Sequence, residues 1–190
     1  NALEIMRMSE TSDPQLLWCR DVIERQAGQL TRLVDDLLDV SRITQGKIKL
    51  RTEVLDLGRM VMSAVETSRP LIDAQSHQLT VTMPERTIRV SGDAARLTQV
   101  IANLLNNAAK YQNDRGSIEV RVACDAGVAV ISVKDQGIGI PADAIPRVFE
   151  LFSQGERAPD RAQGGLGIGL SLVKTLVEMH GGSVRVGSDG

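Results

Sequence analysis

Gln99, Asn103, Asn107 and Lys110 are spaced by four, four and three positions, so a helix over 93–111 lines them along one stripe. Amides that end in an ammonium suit a hydrated Mg²⁺ and phosphate oxygens, because amide oxygens are hard ligands and the cation neutralises phosphate. A merely solvated face would more readily carry Glu and Arg. Asp135 follows the apolar run VAVISV at 128–133 and precedes Gly137, Gly139 and Pro141. A carboxylate at a strand end, with glycines that permit close backbone approach, can accept from the exocyclic amine of adenine. An ordinary Asp-Gly turn is the plainer alternative. QGGLGIG at 163–169 feeds a helical pattern from Leu170. There, unpaired backbone N–H groups and the positive end of the helix dipole favour a polyanion. The stretch from Asp135 to Pro141 is not the dinucleotide fingerprint GxGxxG, since Pro141 follows its glycines.

The elements that must position them are legible from periodicity. Asp13-Pro14 reads as an N-cap and first turn. From Gln15 to about Ile43, Leu16, Cys19, Ile23, Gln26, Leu30, Leu33, Leu37 and Val40 recur in the three-four rhythm of a helical seam. Leu17, Val22, Val34 and Leu38 widen it, which predicts a dimerising helical hairpin whose first helix ends near Met8. Gln45-Gly46 closes that helix. KIKLRTEVLDL reads as a strand, and Asp56 caps a helix to about Ala74. Strands are predicted over 78–83 and 87–90, paired as an edge hairpin, and over 118–123 and 128–133 around the Asp125–Gly127 turn. Short helices over 141–151 and 170–180 and a strand start at 183–186 complete the reading. The expected fold class is an α/β (α+β) two-layer sandwich: one mixed sheet covered on one face by helices. The domains divide at 1–45 and 46–190.

Composition narrows the function classes. A net charge of −2 gives no nucleic-acid footprint. With one Trp, one Tyr and two Phe there is no stacking platform for bases either. Cys19 and Cys124 lie far apart, which predicts reduced, buried thiols and a cytoplasmic setting rather than a disulfide or zinc site. No apolar run reaches the ~18 residues that a membrane span needs. The chain starts inside a helical pattern and stops at GSDG, so it reads as a piece of a longer protein, with a membrane-anchored parent left open.

Four stretches together resemble a family. NLLNNAAKY (103–111), DQGIGIP (135–141), RVFELF (147–152) and GGLGIGLSLVKTLVEMHGG (164–182) are similar to the N, G1, F and G2 boxes of sensor histidine kinases, in that family's order. LTRLVDDLLDVSRI resembles the second helix of its dimerisation hairpin. The resemblance implies a Bergerat-type ATP site with ATP and Mg²⁺ bound. Asn107 would be the Mg²⁺ ligand, Asn103 would lie next to metal and phosphates, and Lys110 would contact phosphate. Tyr111 and Ile140 would line the pocket, and Asp135 would bind the adenine amine over Gly137 and Gly139. Phe149 and Phe152 would anchor a mobile lid from Ser153 to about Gly164, with Arg157 and Arg161 as candidate lid cations. Gly165, Leu166, Gly167, Gly169 and Leu170 would cradle the triphosphate.

The same resemblance implies γ-phosphoryl transfer to a histidine on the hairpin of its own or a partner protomer. A response-regulator receiver domain would then take the group, in a homodimeric parent. One departure stands out. The chain's two histidines, His77 and His180, lack the H-E-x-[RK]-x-P setting of the family's phosphoacceptor. The acceptor is therefore expected outside this chain, and the chain alone is not expected to phosphorylate itself. His180 reads as a helix C-terminal cation. The rival readings are a conformational ATPase of the same superfamily, which would carry Glu where Asn103 stands, and a non-catalytic dimerisation module.

Overall fold

The computed structural model describes residues 13–45, 48–113, 115–153 and 167–188. The chain divides into two compact units, Asn1–Lys47 and Ile48–Gly190.

The described part of the first unit is one helix, α1 (Pro14–Thr44). Asp13 caps it by accepting the Gln15 N–H at 2.8 Å, and Pro14 supplies the preset φ of a first turn. The helix stops at Gln45, whose N–H bonds back to Ser41 and Ile43 carbonyls. Leu16, Ile23, Leu30 and Leu37 of the predicted seam are exposed, as are Trp18, Val34 and Leu38. The predicted first helix, ending near Met8, lies outside the described residues. Cys19 and Cys124 are both exposed free thiols, which corrects the expectation of burial. Cys19 sits on this exposed stripe, and Cys124 is the next-to-last residue of a strand that ends at Asp125.

The second unit runs β1 (Glu53–Asp56), α2 (Leu57–Ala74), β2 (Gln78–Thr82), β3 (Arg89–Gly92), α3 (Ala94–Tyr111), β4 (Ser117–Asp125), β5 (Val128–Asp135), a single 3-10 turn at Ile145–Arg147, and α4 (Gly169–Met179). The main sheet is mixed, in the order β2-β4-β5: β2 runs parallel to β4, and β5 antiparallel to it. The β4–β5 hairpin turns on Ala126 (φ +46°) and Gly127 (φ +83°). Two successive positive φ values are what a tight hairpin loop needs to match strand twist. Along β4, Ile118, Val120 and Val122 are buried while Glu119 and Arg121 are exposed. One face of the sheet therefore carries the core and the other faces water. Val61, Val65 and Ile72 of α2 and Ile101 and Leu105 of α3 cover the buried face.

Three predicted elements are corrected, the hairpin of 78–83 with 87–90, the helix over 141–151 and the strand start at 183–186. β2 and β3 do not form a hairpin: β3 pairs antiparallel with β1, Glu53 opposite Gly92 and Asp56 opposite Arg89. Local turn residues cannot reveal pairing with a strand across α2, and the Leu57 N–H to Ile88 carbonyl bond (3.0 Å) helps hold that distant register. The predicted helix over 141–151 shrinks to the 3-10 turn Ile145–Arg147. Pro146 lacks an N–H and disfavours helical geometry in the residue before it. Residues 183–188 form no ladder with the described strands; Ser188 instead accepts the Ile140 N–H through Oγ at 2.8 Å.

Candidate functional site

Helix α3 is placed from its first residue. Asp93 caps it, with Oδ1 accepting the Arg96 N–H (3.2 Å) and Oδ2 accepting the Arg51 N–H (2.9 Å). Burial pushes the Asp93 carboxyl up, but the N–H donors of Arg51, Arg96 and Ala95 and the charge of Arg96 outweigh it and hold the group below 3.8. Buried Val100, Ile101, Leu105 and Ala108 fix how the helix is rolled. The amide stripe therefore presents on a defined side.

Of that stripe, Gln99 is occupied, since its Oε1 accepts from Arg96 Nη1 at 2.9 Å. Asn103 and Asn107 face the first turn of α4: a Cβ built on Gly169 would lie 4.0 Å from Asn103 Cγ and 4.0 Å from Asn107 Nδ2. The Asn103 Nδ2 is buried and has no hydrogen-bond partner among the described residues. A buried amide donor without a partner is costly unless something completes it. It is a donor, so it suits an anionic oxygen rather than a metal. Lys110 lies on Tyr111, donating to its Oη at 3.0 Å with Nζ 4.6 Å from the ring centroid.

The C-terminal end of α3 holds the second cluster. Its terminal carbonyl, from Tyr111, accepts the Ile138 N–H at 3.1 Å. Gly137 donates to Asp135 Oδ1 at 2.8 Å, so the carboxylate is oriented by its own turn. A Cβ on Gly137 would stand 2.3 Å from the Tyr111 carbonyl oxygen, so only glycine lets these backbones approach so closely. Gly139 adopts φ +72°. Asn113, which the sequence does not single out, donates from Nδ2 to the Gln136 carbonyl at 2.9 Å and ties the same loop down.

The third cluster joins Phe152 and Gly167. Phe152 takes φ +63°, and its backbone N–H donates to the Gly167 carbonyl at 3.1 Å. Its ring is 61% exposed, so the backbone rather than the aromatic side chain does the anchoring there. Phe149 and Leu170 are half-buried. Gly165, Leu166 and the predicted lid beyond Ser153, with Arg157 and Arg161, lie outside the described residues.

Neither histidine presents an accessible, unengaged ring nitrogen. His77 is 8% exposed, with Nε2 between the Gln75 Oε1 (2.9 Å) and the Ala109 carbonyl (3.0 Å), while its Nδ1 is buried without a partner among the described residues. His180 has both ring nitrogens engaged, Nδ1 with the Leu176 carbonyl (2.7 Å) and Nε2 with the Asp93 N–H (3.0 Å). The expectation of His180 as a terminal cation is thus corrected. A backbone N–H can only donate, so Nε2 carries a lone pair.

Among the described residues no three His, Cys, Asp or Glu side chains gather to hold a metal. A cation here would rest on amide oxygen, water and a ligand's own phosphates, which fits the reluctance of Mg²⁺ to lose its waters. The chemistry available is recognition of a base amine at Asp135 and of phosphate between Asn103, Asn107 and the N-terminus of α4.

Comparison with known proteins gives the family and the fold. Residues 92–190 match the family described as histidine kinase-, DNA gyrase B-, and HSP90-like ATPase. The chain is 33% identical over 166 residues to the probable sensor histidine kinase TcrY of Mycobacterium tuberculosis, covering 87% of this chain and 34% of TcrY. The solved mycobacterial sensor histidine kinase MprB is 34% identical, with a TM-score of 0.62 over 70% of this chain and 84% of that one. The Acinetobacter baumannii histidine kinase AdeS, at 20% identity, shares the fold with a TM-score of 0.72 over 98% of this chain and 84% of its own. The chain spans about a third or less of the length of the curated relatives it matches.

Proposed function

Given that this chain belongs to the histidine kinase-, DNA gyrase B-, and HSP90-like ATPase family, as a sensor-histidine-kinase catalytic domain, we propose that it binds Mg-ATP and hands the γ-phosphoryl to a histidine on a dimerisation hairpin. That histidine would pass the group to an aspartate of a response-regulator receiver domain, the parent working as a homodimer through the seam of α1.

The observation that carries this reading is the convergence of Gly169 on Asn103 and Asn107. Asn107 would hold Mg²⁺, which when bound neutralises phosphate charge and polarises the transferred group. Asn103 Nδ2 is a donor for a phosphate oxygen, and the first N–H groups of α4, freed of side chains at Gly167 and Gly169, line the phosphate path. Lys110 lies on the pocket wall made by Tyr111 and reaches phosphate by rotating off the ring. Asp135, oriented by the Gly137 N–H, accepts from the adenine amine, and Ile140 would line the same pocket. The protein's work is positioning and charge stabilisation. The bond from the γ-phosphorus to the ADP oxygen breaks, and a bond from that phosphorus to an imidazole nitrogen forms.

The amide at Asn103 favours this reading over an ATPase, because it cannot take a proton from an attacking water. His180 has both ring nitrogens engaged, and the one unpartnered ring nitrogen of His77, Nδ1, is buried, so we place the acceptor on another segment or chain. The test mixes this chain and Mg-ATP labelled at the γ position with a separate hairpin polypeptide that carries the H-E-x-[RK]-x-P box. Acid-labile, base-stable label on the hairpin is the expected result. Release of free phosphate with no label on the hairpin would transfer the assignment to the ATPase reading.

A further inference from the structure

We propose that His180 is a positioning residue, a neutral imidazole latch that sets the register of α4 against α3 and thereby the placement of Gly169 opposite Asn103 and Asn107. The inference rests on the nucleotide reading above.

The latch begins with an orphan. The N-cap residue of a helix often has its own N–H satisfied by a Glu or Gln three positions on. Here the cap is Asp93 and the residue three on is Arg96, which has no acceptor to offer. His180 takes the task from the far end of another helix: its Nε2 accepts the Asp93 N–H at 3.0 Å. With that lone pair committed, the ring proton resides on Nδ1 and is donated to the Leu176 carbonyl at 2.7 Å. The ring is therefore tied to the last turn of α4 on one side and to the first residue of α3 on the other. Space for it depends on Gly92, where an added Cβ would come 3.1 Å from the ring's Cδ2 and 2.6 Å from Leu97.

The other end of α4 is Gly169, opposite Asn103 and Asn107. α4 thus runs back along α3, from the middle of that helix to its cap. Between the two ends the helix buries Leu172, Val173 and Leu176. Apolar contact is non-directional and lets a helix slide or roll by fractions of a turn. The bond from Asp93 to His180 is the directional element that stops it. The adenine side of the site, at Asp135 and Gly137, hangs on the opposite end of α3 and does not involve this bond.

The two ring nitrogens can be separated by substitution. In His180→Asn the side-chain amide reaches the place of Nδ1 and retains the bond to Leu176, while the acceptor for Asp93 is lost. In His180→Gln the amide reaches the place of Nε2 and restores that acceptor. Both variants and the unaltered chain would be titrated calorimetrically with Mg²⁺ plus a non-hydrolysable ATP analogue, and separately with adenosine. His180→Asn is expected to weaken the triphosphate analogue by about tenfold, the loss of one net hydrogen bond. Adenosine should change by less than about twofold, and His180→Gln should bind the analogue like the unaltered chain. Equal analogue affinity of the Asn and Gln variants would overturn the latch. So would an equal loss of adenosine and analogue in His180→Asn, which is the signature of a merely structural residue. Failure of the unaltered chain to bind either probe would overturn the nucleotide reading itself, and the latch with it.

Discussion

The backbone N–H of Phe152 donates to the carbonyl of Gly167 at 3.1 Å, with both residues in the left-handed region at φ +63° and +70°. This bond closes the two ends of the intervening segment on each other and aims the chain into α4. A Cβ on Gly167 would meet the Ser153 carbonyl oxygen at 2.6 Å and the Phe152 carbonyl carbon at 2.9 Å. Gly167→Ala is therefore expected to destabilise the unit by about 1–3 kcal/mol and to weaken an ATP analogue. Urea unfolding and a fluorescent-nucleotide titration measure the two effects; an unchanged midpoint and affinity would contradict the geometry.

Asp135→Asn is expected to abolish ATP-analogue binding while leaving the fold intact. Asn can still accept the Gly137 N–H through its own Oδ1, so the turn survives. Facing an amine donor with an amide costs a charge-assisted hydrogen bond, roughly 1.5–3 kcal/mol or more than tenfold in affinity. Unaltered binding in the fluorescent-nucleotide titration would remove the adenine role from Asp135.

Asn107→Ala should shift the Mg²⁺ dependence of nucleotide binding, with adenosine left alone. Titrating Mg²⁺ at fixed nucleotide is expected to show a midpoint raised by about tenfold or more. A superimposable curve would take the metal role away from this residue.

Asp93 predicts a pH effect with a definite sign. Its carboxyl is held below 3.8, so its charge stabilises the fold fully above that value. That contribution fades as pH falls through the still lower folded-state value. Asp93→Asn, which caps as well but without charge, should cost on the order of 1 kcal/mol at neutral pH. Urea midpoints of the two proteins should then converge in strong acid. A constant gap across the whole range would mean that the charge is not the cause.

What could be read from the chain alone divides by the range of the interaction. Asp13 and Asp56 are legible as caps because the partner N–H lies two or three residues away, whereas Asp93 is read only as the start of its helix. The α3 stripe is legible because helical spacing is local too. The β1–β3 pairing is not, since its register is decided across α2. His180 at the end of a helix looks like a cation until the Asp93 N–H arrives from far along the chain and demands a lone pair. Asn113 carries no pattern at all; only the folded path brings its amide to the Gln136 carbonyl.

The parallel ladder of β2 with β4 also constrains how the unit is made. Gln78 must wait for Ser117, and β3 and α3 lie between them. Emerging from a ribosome, β2 has no central partner until the helix that carries Asn103 and Asn107 has already been synthesised and swung across. Pairings of such sequence separation are slow to form. Closure of the sheet therefore follows the making of the amide stripe, so no sheet-complete intermediate lacks it, whereas Gly169 and α4 join only after the last strand of that sheet.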